Sequence, residues 1–131
     1  MRRDMSTWAV LDLVAVFVFV AIGRSVHGHA FSVAGLASTL WPFAVGLAAG
    51  WGMVAARRVR ILSIAAGVAV CVATVAIGML LRVVSGQGTA PAFVGVALGF
   101  LGLAMTSWRV ARYLFGLRLE RRHADQDLPI A

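Results

Sequence analysis

The segment ILSIAAGVAVCVATVAIGMLL, residues 61–81, contains no charged side chain and lies directly between Arg60 and Arg82. A helix rises about 1.5 Å per residue, so a helix of this length crosses the ~30 Å hydrocarbon core of a bilayer. In hydrocarbon every backbone polar group needs a partner within the chain, and a helix provides these partners locally. The segment therefore predicts a membrane-spanning helix.

Three other segments share this apolar character. They are 7–26, 30–56 and 83–108, of which only the first contains charged residues, Asp12 and Arg24. Hydrophobic residues make up 61% of the 131 residues and charged residues 13%, which is too little polar surface for the shell of a soluble domain. The sequence predicts an all-α protein, a bundle of four transmembrane helices with up-down topology.

Turn-forming and basic residues between the apolar segments set the boundaries of the spans. We place the spans at about 7–26, 36–56, 61–84 and 92–112, within one transmembrane domain over 7–115. Residues 1–6 form the N-terminal segment, and 116–131 form a basic and then polar tail that we expect to be loose from His123 onward. The first span is not expected to be a cleaved signal peptide, because it is long and contains Asp12.

The distribution of the twelve arginines predicts the orientation. Ten of them fall in 1–6, in the turn 57–60 or in 109–122, and only Arg24 and Arg82 fall on the other side of the membrane. The positive-inside rule then places both termini in the cytoplasm and the protein in the cell inner membrane. A net charge of +7 suggests nucleic-acid binding in a soluble protein, but here orientation and lipid headgroups explain the arginines, so no nucleic-acid partner is expected.

Asp12 is the first candidate for chemistry. It follows Trp8, the expected interfacial anchor, by four residues, which places its carboxylate roughly 6 Å inside the apolar layer. A carboxylate at that depth has to be paired or protonated. We expect an intramembrane ion pair with Arg109, or with Arg57 as the second choice, and the alternative is a proton or cation relay.

Arg24 and Arg82 are the second candidates. The acidic residues all lie in the inner half of the membrane or in the cytoplasm, so the outer half contains no carboxylate. Two explanations stay open: the arginines extend to lipid phosphate, or together with His27 they form a site for a phosphate or carboxylate ligand. The pair His27 and His29 has no cysteine or carboxylate nearby, so we expect no metal site, and no other cofactor is expected.

Pro42 lies about two turns into the second span and should kink that helix or leave a carbonyl free on the preceding turn. Two small-residue pairs, Gly46 with Gly50 and Gly95 with Gly99, predict close helix contacts inside the bundle. The alternative for one of these pairs is the contact of a homodimer or of a partner membrane protein.

Several short motifs resemble those of a known family. They are Asp12, Gly23-Arg24 with His27, Thr39-Leu40-Trp41-Pro42-Phe43 with Gly46, Gly50 and Trp51, Gly78-Met79-Leu80-Leu81-Arg82, Gly86-Gln87-Gly88-Thr89 with Phe93, and Trp108-Arg109. In this order they resemble a family of small prokaryotic four-helix membrane proteins known only as a domain of unknown function. The resemblance covers roughly 8–112 and implies four spans but no activity.

The sequence contains no phosphate-binding loop, no nucleophile beside a base and no pair of carboxylates. Cys71, the single cysteine, lies within a span and is expected to be a small packing residue. We therefore expect a non-enzymatic membrane component, either an accessory subunit or a binder of anionic lipid or metabolite at the outer face. The alternative is a small proton-coupled transporter that uses Asp12, although such four-span transporters tend to have little charge bias between their two sides.

Overall fold

Four long helices make up the computed structural model, which describes residues 2–26, 28, 32–60 and 62–128. The helices are α1, Arg2–Val26; α2, Val33–Ala56; α3, Ile64–Val84; and α4, Pro91–Gln126. Each is long and apolar enough to cross a membrane. The prediction of an all-α protein with four membrane-spanning helices is confirmed, and the protein is a multi-pass membrane protein.

Polar caps and one proline decide where three of the helices begin. The hydroxyl groups of Ser32 and Ser63 accept hydrogen bonds from the backbone N–H groups of Gly35 and Ala66, at 3.0 and 3.1 Å. Such caps satisfy N–H groups that lack a partner in the first helical turn. Helix α4 instead begins with Pro91, whose missing N–H costs nothing at this position. The third helix therefore begins at residue 64 rather than at the expected residue 61.

Helix α4 is much longer than the expected span of 92–112. It continues to Gln126, so residues 123–126, which were expected to be loose, are helical. The residues that follow Arg109 include many leucines and arginines, which have high helix propensity, and almost all of them are exposed. The basic tail is thus a continuation of the last membrane helix.

The four helices pack in a ring. Helix α1 packs against α2 and α4, and α3 packs against the same two helices. The described backbones of the two diagonal pairs, α1 with α3 and α2 with α4, stay more than 8 Å apart between Cα atoms, and α2 meets α4 through the side chains of Phe43 and Phe93. The α2–α3 contact is the closest, because a Cβ at Gly46 would lie 2.7 Å from the Thr74 carbonyl oxygen and one at Gly50 would lie 3.2 Å from the Val70 Cα. Higher numbers on α2 face lower numbers on α3, so these two helices are antiparallel.

The second small-residue pair does not make the contact that was expected of it. A Cβ at Gly95 or Gly99 would meet no atom within 4 Å, so the expectation of a contact inside the bundle is wrong for this pair. The buried face of α4 includes Ala97, Leu101 and Met105, and it turns the two glycines outward. A homodimer or partner membrane protein on this face stays a prediction.

The bundle has two ends, which we name by one residue each. The Trp8 end contains the N-terminal parts of α1 and α3, and the Arg24 end contains their C-terminal parts together with the loop 85–90.

A cluster of phenylalanine rings lies between the two ends. The ring of Phe19 lies 5.7 Å from that of Phe43, 5.6 Å from that of Phe93 and 5.7 Å from that of Phe100. Aromatic pairs at such distances add to the stability that comes from burial. This phenylalanine cluster joins α1, α2 and α4.

Candidate functional site

A buried ion pair lies toward the Trp8 end. Arg109 donates from Nη1 to Oδ1 of Asp12 at 2.9 Å and from Nη2 to Oδ2 at 2.8 Å. The exposed fraction is 0% for Asp12 and 1% for Arg109. Two parallel charge-assisted bonds of this kind are the strongest arrangement that a guanidinium and a carboxylate form. Arg57, the second candidate partner, is exposed at the end of α2.

Two indoles complete the surroundings of the carboxylate. The Nε1 groups of Trp51 and Trp108 donate to Oδ2 and Oδ1 of Asp12, at 3.2 and 3.0 Å. Arg109 also donates from Nη1 to the Met105 carbonyl oxygen at 2.6 Å, and its guanidinium lies 4.2 Å from the Trp108 ring centroid. Among the described residues no buried side-chain nitrogen or oxygen lacks a partner.

This arrangement joins all four helices. Asp12 belongs to α1, Trp51 to α2 and Arg109 to α4, while Gly67 of α3 faces the Arg109 side chain. Asp12 accepts four hydrogen bonds, two of them from the Arg109 guanidinium and two from indoles, so its position is fixed by residues of α2 and α4. This geometry suits a structural connection between the helices.

A second feature is a cavity of about 940 Å³ at the Arg24 end. Most of its wall is apolar and comes from α1 and α4, with Phe19, Phe93 and Phe100 among the lining side chains. The guanidinium-bearing side chains of Arg24 and Arg82 line the same cavity. The structure thus brings together the two arginines that the sequence singled out, and His27, the third member of that predicted site, lies outside the described residues.

Arg24 is held from the side of α2. Its Nη1 donates to Oγ1 of Thr39 at 2.9 Å, and the same hydroxyl donates to the Gly35 carbonyl oxygen at 3.0 Å. Gly35 leaves the space that the guanidinium occupies, because a side chain there would collide with it. Helix α2 thus fixes the position of Arg24 at the cavity.

Arg82 is held by the loop that connects α3 to α4. Its Nε donates to the Gly88 carbonyl oxygen at 3.3 Å and its Nη1 donates to Oε1 of Gln87 at 3.0 Å. The guanidinium carbon lies 5.2 Å from the Phe93 ring centroid. Gly86 and Gly88 have φ values of 78° and 71°, a conformation that favours glycine and that folds the loop back toward Arg82. Among the described residues no group forms a hydrogen bond with Nη2 of Arg82.

The loop is in turn anchored to α2 through Pro42. A proline has no N–H, so Pro42 cannot donate to the carbonyl of Ser38, four residues earlier. Nε2 of Gln87 donates to that carbonyl at 3.0 Å. Gln87 therefore connects a carbonyl freed by the helix proline to the guanidinium of Arg82. Sequence reasoning indicated the free carbonyl but did not identify Gln87 as its partner.

Comparisons with known proteins agree with the motif resemblance. The model of a family described as "Protein of unknown function (DUF3054)" matches residues 9–112. No curated protein and no solved structure matches the chain. The matched range contains the ion pair and every residue that lines the cavity, and it ends at Arg112, near the start of the exposed part of α4.

Proposed function

The chain belongs to the DUF3054 family of proteins of unknown function, and from that premise we propose that it is a non-enzymatic membrane protein whose cavity at the Arg24 end binds a ligand with a phosphate or carboxylate group. One observation carries this proposal. Arg24 and Arg82 belong to the diagonal helices α1 and α3, whose backbones do not pack against each other, yet both line one cavity whose walls are otherwise mostly apolar.

The charge balance at the Arg24 end supports an anionic ligand. The acidic residues of the chain are at positions 4 and 12 in the N-terminal half of α1 and at positions 120, 125 and 127 in or directly after the C-terminal part of α4, all away from the Arg24 end. The bonds described for Arg82 go to the neutral Gln87 side chain and the Gly88 carbonyl. Because apolar walls lower the local dielectric constant, two guanidinium groups there attract an anion more strongly than they would in water.

We further propose that the helices cross the membrane in an up-down arrangement with both termini in the cytoplasm. Ten of the twelve arginines are then cytoplasmic, as the positive-inside rule favours. The cavity opens on the outer side of the cell membrane in this orientation. The antiparallel contact of α2 with α3 supports the alternation of directions.

The test measures anion binding by purified protein in a neutral detergent. Glycerol phosphate, a soluble probe, and phosphatidylglycerol, a lipid with the same headgroup chemistry, are titrated against the wild type and against a variant with Arg24→Gln and Arg82→Gln. A matched control with Arg118→Gln and Arg121→Gln removes the same charge from the exposed part of α4.

We expect the wild type and the control to bind at least one probe, and the Arg24/Arg82 variant to lose about tenfold or more in affinity, since a hydrogen bond to a charged group contributes ~1.5–3 kcal/mol. The affinity should also fall at high salt. Equal affinity in the wild type and the Arg24/Arg82 variant, or equal loss in the control, would overturn the proposal.

A further inference from the structure

Part of the wall of the cavity at the Arg24 end is exposed on the surface of the bundle. Two of its lining residues, Ile22 on α1 and Val96 on α4, have exposed fractions of 47% and 62%. Their helices are membrane-spanning, so side chains exposed on their outer surfaces face lipid. These exposures indicate a side opening of the cavity between α1 and α4, on the surface that would face the hydrocarbon.

Polarity is graded along the cavity. Arg24 follows Phe19 by five residues on α1, which separates the two side chains by about 7.5 Å along the helix axis. On α4, Phe93 lies beneath the guanidinium of Arg82, and Phe100 lies about two turns further from the helix end. The cationic groups are thus at the level of the helix ends, and the aromatic wall extends from there toward the middle of the bundle.

We propose that the ligand is a membrane lipid with an anionic headgroup, which enters from the bilayer between α1 and α4. The headgroup phosphate binds Arg24 and Arg82, and the first part of an acyl chain lies along Phe19, Phe93 and Phe100. This inference rests on the proposed anion site and adds the class of its ligand. A soluble anion uses only the two arginines, whereas a lipid also covers the apolar wall and the side opening.

The dimensions agree with this ligand. The volume of about 940 Å³ lies near the upper end of the ~300–1,000 Å³ range of small-molecule pockets. Helices α1 and α4 are held together toward the Trp8 end by the Asp12–Arg109 pair and by the stacked rings of Trp8 and Trp108, and at the cavity wall Phe19 packs against Phe93 and Phe100. A chain can therefore occupy the opening without separating the helices.

The experiment blocks the side opening and leaves the arginines in place. Val96→Trp places a large ring at the opening, and Leu103→Trp is the control, since Leu103 is 72% exposed on the same helix and does not line the cavity. Ile22→Trp blocks the opening from α1 and serves as a second variant if Val96→Trp reduces folding. The number of phosphatidylglycerol molecules retained after extraction from mixed phosphatidylcholine and phosphatidylglycerol vesicles is counted by native mass spectrometry.

We expect the wild type and Leu103→Trp to retain phosphatidylglycerol in preference to phosphatidylcholine, and the blocked variants and the Arg24/Arg82 variant to retain about tenfold less. Equal retention by the blocked variants and the wild type would overturn the lipid inference. If glycerol phosphate binds as tightly as the lipid and still depends on the two arginines, the anion site stands and the lipid inference fails. If neither probe binds, both fail.

Discussion

The side chain of Arg109 occupies the space in which Gly67 would have a side chain. A Cβ at position 67 would lie 2.8 Å from Cδ of Arg109 and 3.2 Å from its Nε. The guanidinium cannot move aside easily, because Asp12 holds it through two hydrogen bonds. The buried ion pair of α1 and α4 therefore depends on the absence of a side chain on α3.

Gly67→Ala tests this dependence. The added methyl group has to displace Arg109 or separate α3 from α4, so we expect a loss of about 1–3 kcal/mol in the free energy of unfolding. Gly99→Ala is the matched control, since a Cβ there meets nothing within 4 Å and alanine favours the helix. Thermal unfolding of the detergent-solubilised variants measures both changes. A Gly67→Ala protein as stable as Gly99→Ala would refute the dependence.

A double-mutant cycle tests the ion pair. Asp12→Asn leaves a buried guanidinium without its counter-charge, and Arg109→Gln leaves a buried carboxylate, so each change alone should cost about 3–5 kcal/mol. The double change removes both charges and should recover part of the loss, which gives a coupling energy in the same unfolding assay. Arg118→Gln, an exposed change on the same helix, should have little effect. Strict additivity of the two losses would show that the pair contributes no coupling.

A second cycle tests the connection between Pro42 and Gln87. Gln87→Ala removes the donor to the Ser38 carbonyl and frees the loop 85–90. In a Pro42→Ala background the new N–H at position 42 can donate to that carbonyl, so the cost of Gln87→Ala should fall by about 0.5–1.5 kcal/mol. Amide hydrogen exchange in the loop should rise with Gln87→Ala in both backgrounds. An unchanged cost of Gln87→Ala would mean that the two residues act independently.

Cysteine labelling tests the orientation. Single cysteines at Gly28, Gly88 and Arg58 are introduced into a Cys71→Ala protein, since the buried native thiol is then absent. A membrane-impermeant maleimide should label positions 28 and 88 in intact cells and position 58 only after the membrane is opened, because the 57–60 turn carries three arginines. Labelling of position 58 in intact cells would show that the orientation is the opposite of the one proposed.

The number and class of the helices could be predicted because uncharged segments of this length have few alternatives to a membrane helix. The proximity of Asp12 and Arg109 was also foreseeable, since an isolated carboxylate in the apolar layer needs a cation at similar depth. The hydrogen bonds from the indoles of Trp51 and Trp108 could not be predicted. Tryptophan rings near the membrane boundary are usually interfacial anchors, and their hydrogen bonds depend on how each helix is rotated. Rotation also explains why Gly95 and Gly99 face outward, since spacing alone cannot tell which helix face meets a neighbour.

Asp12 and Arg109 are separated by 97 residues in the chain. During synthesis α1 therefore enters the bilayer long before its partner on α4 has been made. An acidic residue at the centre of a membrane helix costs ~2.5–3.5 kcal/mol on the insertion scale, and Asp12, closer to the membrane boundary, carries part of this cost. Trp51 of α2 supplies one hydrogen bond to Asp12, but the opposite charge is supplied only by α4. A nascent chain that ends before Arg109 contains the Asp12 carboxylate without its positively charged partner, and in this it differs from the full-length protein. The ion pair can thus form only after the fourth helix has been made and has packed against the first.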